Sequence, residues 1–419
     1  MQVSMVCGRW REILLSNSSF WSALHIVFDS WEGRFSSLER LVQIFASRSG
    51  ARALNLQLDF RDIDDGMETE ISPIVGTLVC NSARWRSLSL TSIPQSSGLL
   101  SQFGDGVVFP ELHNLCISGD EPLPPALYIL FRDSPSLRRL ELGSDLVFVD
   151  ESHFDLPWHQ IEDLVIADSY GPAALALLSL FPRLKGLKMF RAGGGIVGYS
   201  GHYHSNTINT MTLTGDSQED VDTTLQHLTL PDLASLTMCR TDESEHQWKV
   251  WAESSLTDFL SRSTCTITSL HLKRLPMTDS QALSLLGLTP ALANLEIEDS
   301  RTGANHIVTG TFLQRLAVNP QTALLSAKPL LPLLTKLTLA VRKDSSIEQD
   351  IFDVVSSRWI PDREQATEVG VESLRSVCLT IVGRDADRNK LSFLECFRDA
   401  GLQMEVVYQP RFLSCNQTP

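Results

Sequence analysis

The 419-residue chain lacks an apolar run long enough to cross a membrane. Its most apolar stretch, Gly171–Phe181, is about half as long as a membrane-spanning helix. Residues Met1–Trp10 lack the apolar segment of a secretory signal peptide. The eight cysteines include no C-x-x-C pair, which is typical of free thiols in a reducing compartment. We therefore expect an intracellular protein, cytoplasmic or nuclear, with no membrane partner.

Positive charge is also scarce. The chain carries 35 Lys and Arg residues against 50 Asp and Glu residues, which gives a formal net charge of −15. A nucleic-acid surface requires clustered Lys and Arg to contact the phosphates. We therefore expect no nucleic-acid partner.

Motifs of catalysis and cofactor binding are missing as well: no Gly-x-Ser-x-Gly, Walker or H-E-x-x-H sequence occurs. The sequence Gly193-x-Gly195-x-x-Gly198 fits a dinucleotide fingerprint. The residues after it, Tyr199–His204, offer no helix whose N-terminus could hold a pyrophosphate. His202-x-His204 supplies only two potential metal ligands. We predict no enzymatic activity, no cofactor and no metal site.

The chain does contain a recurring apolar pattern, which we call the beat: one apolar residue, another three positions later, and a third two positions after that. Its last two residues alternate with a polar one, as in a short half-buried strand. The twelve beats are Ala51/Leu54/Leu56, Trp85/Leu88/Leu90, Leu112/Leu115/Ile117, Leu137/Leu140/Leu142, Ile161/Leu164/Ile166, Leu184/Leu187/Met189, Ile208/Met211/Leu213, Leu233/Leu236/Met238, Ile267/Leu270/Leu272, Leu292/Leu295/Ile297, Leu334/Leu337/Leu339 and Leu374/Val377/Leu379.

The spacing of the beats predicts the fold class. Between Leu115 and Met211 the central residue recurs at steps of 25, 24, 23 and 24. This period lies within that of leucine-rich repeats, in which each coil has one strand and one helix or irregular segment. Single coils cannot bury their apolar face alone, so neighbours must stack. The sequence predicts an α/β leucine-rich-repeat solenoid: a curved parallel sheet of about twelve strands with outer helices.

The N-terminal segment does not follow the beat. It reads Val6-Cys7-Gly8-Arg9-Trp10-Arg11-Glu12-Ile13, and Trp21-Ser22-Ala23-Leu24 follows after a turn. This sequence resembles the second half of an F-box, as found in the large fungal class of proteins in which an F-box precedes irregular leucine-rich repeats. The resemblance covers about the first 25 residues. A capping helix of the solenoid is the alternative interpretation.

The resemblance implies a function. In the family, the F-box binds the small adaptor protein of a cullin-RING ubiquitin ligase, and the repeats recruit a target protein. The sequence does not identify the target of this chain. The matching adaptor contacts here are Val6, Cys7, Trp10, Ile13 and Leu14. The family's F-box opens with a Leu-Pro and a first helix, whereas this sequence starts after that point, so we expect adaptor binding to be weak or lost. A leucine-rich scaffold with no ligase role is the alternative.

The organisation we predict is a partial F-box over residues 1–24, a connecting segment with a capping helix over 25–50, and the repeat domain over 51–419. Ser36 and Glu39 have the spacing of a capping box for a helix over Phe35–Gly50. Thr278 and Gln281 have the same spacing before another helix. The insertion Thr241–Thr264 has helix-like apolar spacing that includes Trp248 and Trp251, which would be partner contacts if exposed.

The beat also predicts a binding face. Because side chains alternate along a strand, residues between and just after the last two beat positions point away from the core. Stacking should align them into a concave partner surface comprising Arg139, Glu141, Lys188, Phe190, His271, Lys273, Glu296 and Glu298. Phe190 is the aromatic candidate for an anchor of the partner. Packing of Phe190 under the following glycine loop is an equal alternative.

Overall fold

The structure is a computed structural model that describes residues 7–31, 33–61, 63, 65–93, 99, 102, 107–119, 129–143, 156–167, 175, 177–190, 201–241, 248–300, 305–318, 329–342, 347–382 and 394–409. The chain is divided into two compact units. The first comprises Met1–Ser169 and Ala176–Leu184, and the second comprises Tyr170–Leu175 and Lys185–Pro419.

The described residues of the first unit form six parallel strands that pair in chain order. They are β1 Ala23–Val27, β2 Leu54–Asp59, β3 Trp85–Thr91, β4 Asn114–Ser118, β5 Arg139–Leu142 and β6 Asp163–Ala167. Its α-helices of five or more residues are Gly8–Ser16, Phe35–Arg48 and Glu68–Val79 in the part of the chain that the structure describes. Short 3-10 turns lie at Ser18–Trp21, Asp29–Trp31, Asp65–Met67, Ser82–Arg84, Trp158–Gln160 and Leu178–Leu180.

In the part of the second unit that the structure describes, eight parallel strands again pair in chain order. They are β7 Gly186–Phe190, β9 Thr210–Gly215, β11 Ser235–Arg240, β12 Ser269–Lys273, β13 Asn294–Glu298, β14 Lys336–Arg342, β15 Ser376–Val382 and β16 Gln403–Gln409. A separate parallel pair is formed by β8 Tyr203–His204 and β10 Leu228–Thr229. The helices in the described ranges of this unit are Gln218–Gln226, Ser254–Ser263, Asp279–Gly287, Gly310–Leu316, Glu348–Arg358, Arg363–Val369 and Glu395–Asp399.

Every beat coincides with one of these strands, and its apolar side chains form the core. All beat positions are buried except Ala51, which is exposed. Strands β1 and β16 are additional to the twelve predicted. The boundary that we expected at residue 24 falls inside β1, which pairs with β2. The mixed α/β class and the parallel sheet are therefore confirmed.

One backbone contact repeats from coil to coil. The carbonyl of the residue after the first beat position accepts two N–H groups from the start of the next coil. The Asn209 carbonyl, for example, accepts from Ala234 and Ser235 at 2.9 and 3.0 Å. The same arrangement recurs at the carbonyls of His113, Arg138, Lys185, Ala234, Thr268, Ala293 and Thr335. Each strand is thus held in the register that aligns its beat with the previous one.

Two helix starts show where local sequence signals succeed and fail. Thr278 and Gln281 form the predicted capping box, because each side chain bonds the other's backbone N–H. The box expected at Ser36 and Glu39 is wrong. The helix begins at Phe35, as predicted, so Ser36 lies inside its first turn and cannot act as its cap.

The insertion at Thr241–Thr264 also differs from the prediction. Its helix covers only Ser254–Ser263, and the two tryptophans precede it in a connecting segment. Trp248 and Trp251 are buried and their rings stack with centroids 5.8 Å apart. Their role as exposed partner contacts is therefore excluded, because their indole surfaces are used in packing against each other and the core.

Candidate partner-binding surfaces

The helix Gly8–Ser16 exposes its apolar residues. None of its residues is buried, and Trp10 and Ile13 are 48% and 39% exposed. Cys7 stands at the N-cap position and is exposed, while Leu14 is half-buried. Val6 lies outside the described residues. Since large apolar side chains are normally withdrawn from water, a helix that exposes several of them is a candidate docking surface.

Specific contacts hold this helix against the first unit. The indole N–H of Trp21 donates to the Leu14 carbonyl at 2.7 Å. The Arg48 guanidinium lies over the Trp21 ring, 4.7 Å from its centroid. Arg52 donates from Nε to the Ser18 hydroxyl at 3.1 Å. The exposed helix is therefore attached through the turn Ser18–Trp21 to the neighbouring helix and to the segment that leads into β2.

The outward strand residues are aligned as the beat predicts within each unit. In the second unit one row runs across Lys188, Thr212, Thr237, His271 and Glu296, and the next runs across Phe190, Thr214, Cys239, Lys273 and Glu298. In the first unit Arg139 and Glu141 share β5, with Arg139 Nη2 3.7 Å from Glu141 Oε2. Phe190 is half-buried. The glycine loop under which it could pack lies outside the described residues over 193–200.

A polar network joins several of these residues on β12 and β13. His271 Nε2 lies 3.1 Å from the Ser269 hydroxyl and 3.2 Å from Asn294 Nδ2. His271 Nδ1 lies 3.6 Å from Glu296 Oε2. Lys273 Nζ pairs with Glu296 Oε1 at 3.1 Å. Because Asn294 Nδ2 can only donate, Nε2 acts as the acceptor and the ring proton is on Nδ1, facing Glu296.

The network shifts the pKa values of His271 and Lys273. Burial lowers the pKa of His271 below its usual value, although the negative charge of Glu296 opposes this shift. Burial also acts to lower the pKa of Lys273, but the charge and hydrogen bond of Glu296 outweigh it and raise the pKa. At neutral pH the network therefore holds a neutral imidazole next to a Lys–Glu ion pair.

Ser269, His271 and Glu296 are the residue types of a nucleophile, a base and an acid in a catalytic triad. An acyl-transfer site also needs donors aimed at a developing oxyanion and a site that excludes water. Here the residues are on an open strand face, and the surrounding backbone N–H groups bond the neighbouring strands. The arrangement is better suited to contacting a partner than to catalysis.

Three residues of this region were not identified from the sequence: Ser269, Asn294 and Arg274. The first two precede the middle beat position, as Arg139 does, so the same outward row would have indicated them. Arg274 follows β12, is buried, and pairs through Nε with Glu298 Oε1 at 2.6 Å. A buried arginine has no sequence signal, because arginine is usually at the surface.

Comparison of the chain with known protein families and with characterised proteins finds no match. Within the ranges that the structure describes, no three His, Cys, Asp or Glu side chains come together as a metal site. None of the helices in those ranges combines the length and the apolar character that crossing a bilayer requires.

Proposed function

We propose that this chain is the substrate-recognition subunit of a cullin-RING ubiquitin ligase, with an N-terminal helix that resembles part of an F-box and an irregular leucine-rich-repeat solenoid. The observation that carries the proposal is the helix Gly8–Ser16, which is attached to the first unit but exposes Trp10 and Ile13 to solvent. These are positions that match the family's adaptor contacts. An exposed aromatic on an attached helix is a suitable anchor for a partner.

The repeat architecture is supported by the parallel strands in chain order and by the shared carbonyl that links each coil to the next. One strand per coil of about 24 residues is the arrangement of leucine-rich repeats. In this proposal the strand residues that face away from the core bind the target protein. The polar network on β12 and β13 supplies side chains held in fixed positions for that contact.

The experiment measures binding of the ligase adaptor protein by calorimetry. The chain is compared with a version that carries the family's Leu-Pro helix fused upstream. We expect weak binding by the chain and clear binding by the fused version, because the added helix completes the apolar surface. The double substitution Trp10→Ala and Ile13→Ala in the fused version should weaken binding roughly tenfold or more.

The matched control is Ile44→Ala, which removes an equally exposed aliphatic side chain from the helix Phe35–Arg48. It should leave adaptor binding unchanged. Absence of binding by both versions would reject the ligase role and favour a scaffold. Tight binding that the Trp10 and Ile13 substitutions do not affect would show that the adaptor uses another surface.

A further inference from the structure

The outward face of β9 and β11 is lined by short hydroxyl side chains: Thr210, Thr212, Ser235 and Thr237. Longer side chains stand on the strands at either side, Lys188 on β7 and His271 with Lys273 on β12. Three strand spacings separate β7 from β12, which is about 14 Å. We call these four hydroxyl residues and the three flanking residues the hydroxyl trough. It lies entirely within the second unit.

The hydroxyls of the trough are available to a ligand. Those of Thr212, Ser235 and Thr237 form no hydrogen bond with any described residue, and all three residues are half-buried. Each hydroxyl can donate one hydrogen bond to a carboxylate or a carbonyl oxygen. The trough is therefore a surface with several free donors close together.

The charge of the trough is opposite to that of the chain. Strands β7, β9, β11 and β12 contain no Asp or Glu, whereas the chain as a whole has a net charge of −15. Lys188 forms no ion pair with the described residues. Lys273 is held by Glu296 on β13, outside the trough, so its charge is partly compensated. Lys188 should therefore be the stronger of the two contacts for an anion.

We infer that the hydroxyl trough binds an extended, acidic segment of a partner protein. Successive side chains of an extended segment point to opposite sides, so neighbouring carboxylates would reach Lys188 on one side and Lys273 on the other. The hydroxyls between them would bond the backbone of the segment or its carboxylates. This inference rests on the proposed function, because it names the class of target that the outward strand face would recognise.

The test uses fluorescence anisotropy with three labelled peptides of equal length, which repeat Glu-Glu-Thr-Thr, Gln-Gln-Thr-Thr or Lys-Lys-Thr-Thr, so that neighbouring charged residues point to opposite sides of the extended peptide. The full chain should bind the Glu peptide roughly tenfold more tightly than the Gln peptide at low salt, and should not bind the Lys peptide. The preference should fall as salt is added, because the exposed charges are screened. Equal affinity for the Glu and Gln peptides would overturn the inference.

Charge-reversal variants test whether the Glu peptide binds at the hydroxyl trough. Lys188→Glu should weaken binding of the Glu peptide roughly tenfold, and Lys273→Glu should weaken it less. Lys249→Glu makes the same charge change at an exposed position outside the trough and should alter the affinity less than about twofold. Equal losses in Lys188→Glu and Lys249→Glu would place binding elsewhere and overturn the inference.

A neutral variant separates shape from charge. Thr212→Gln puts a longer uncharged side chain on the floor of the trough and should also weaken the Glu peptide, provided that its melting temperature equals that of the parent chain. Unchanged binding by a folded Thr212→Gln protein would count against the trough. None of these measurements involves the ligase adaptor, so their failure is distinct from failure of the proposed ligase role.

Discussion

The helices Gly8–Ser16 and Phe35–Arg48 have similar apolar spacing but opposite surroundings. The second buries Phe35, Leu38, Val42 and Phe45, whereas the first buries none of its residues. A period of 3.6 predicts a helix in both cases. Burial depends on a facing element, and in the described residues only the second helix has one along its apolar side. Apolar periodicity therefore predicts helix formation, but exposure is what distinguishes a candidate docking surface from a core helix.

A large loss of stability is expected where a buried leucine is truncated. Leu295 is fully buried in β13, and Leu295→Ala should lower the free energy of unfolding by about 3 to 4 kcal/mol through lost burial and an unfilled cavity. Urea unfolding followed by circular dichroism measures it. The control Thr338→Ala changes an outward position on the neighbouring strand and should cost less than about 0.5 kcal/mol. Similar losses in both variants would contradict the inward and outward assignment.

The next effect concerns a buried cation. Arg358 is fully buried and donates from Nε to the Leu316 carbonyl at 2.6 Å and from Nη1 to the Leu331 carbonyl at 3.0 Å, with a further bond to the Leu330 carbonyl. Burial lowers its pKa to about 10, so it remains charged at neutral pH. Arg358→Met should cost about 2 to 3 kcal/mol, because the carbonyls lose their donor.

Urea unfolding also checks this prediction, with Arg375→Met as its control. Arg375 is exposed, and among the described residues its side chain makes one long contact, with Glu372, 3.9 Å from Nη2 to Oε2. Its replacement should change the free energy of unfolding by less than about 0.5 kcal/mol. If the two substitutions cost the same, the carbonyl contacts of Arg358 do not stabilise the second unit.

These residues show what the sequence could and could not predict. The strand positions and the outward rows followed from the local beat, because a period of two fixes which side chains face the core. Strand β1 was missed because its segment was assigned to the F-box resemblance, and β16 was missed because none of the twelve beats covers Gln403–Gln409. The carbonyl partners of Arg358 lie 27 to 42 residues away in sequence. No local pattern specifies such contacts.

The candidate site also contains residues that the sequence identified and residues that it did not. Lys188, His271, Lys273, Glu296 and Glu298 were identified from their outward positions, and strand pairing then determined which of them are neighbours. The outward positions of Asn294 and Ser269 could have been inferred from the beat, but their hydrogen bonds to each other and to His271 could not, since these depend on which strands are neighbours. The hydroxyl trough was also missed, because threonine and serine on a strand have no distinctive pattern until several strands lie side by side.

A smaller effect should appear only as a function of pH. Asp299 is buried, and burial raises its pKa above the usual 3.8, although backbone N–H groups of Ile307 and Val308 bond its carboxylate. The folded protein therefore holds this proton to higher pH than the unfolded chain does. The stability that this provides is fully present below pH 3.8 and is lost as pH rises through the folded pKa.

Asp299→Asn makes the pH effect measurable, because the amide oxygen can accept the same two N–H groups at Oδ1 without titrating. We expect the free energy of unfolding of the parent chain, minus that of the variant, to fall as pH is raised from about 4 to 7. The measurement is urea unfolding at several pH values. A difference that stays constant with pH would mean that folding does not shift the pKa of Asp299, and a difference that rises would mean that the carboxyl ionises more readily in the folded protein.

The smallest change in stability is expected at Trp10. Truncating a buried tryptophan normally costs about 3 to 5 kcal/mol. Trp10 lies on a helix with no buried residue, so Trp10→Ala should change the free energy of unfolding by less than about 0.5 kcal/mol. Trp251→Ala is the matched comparison, because Trp251 is buried and stacks on Trp248. Trp251→Ala should therefore lower the free energy of unfolding by about 3 to 5 kcal/mol. A large loss for Trp10→Ala would mean that its indole stabilises the first unit, and the exposed helix would then be part of the core instead of a surface that is free for the adaptor.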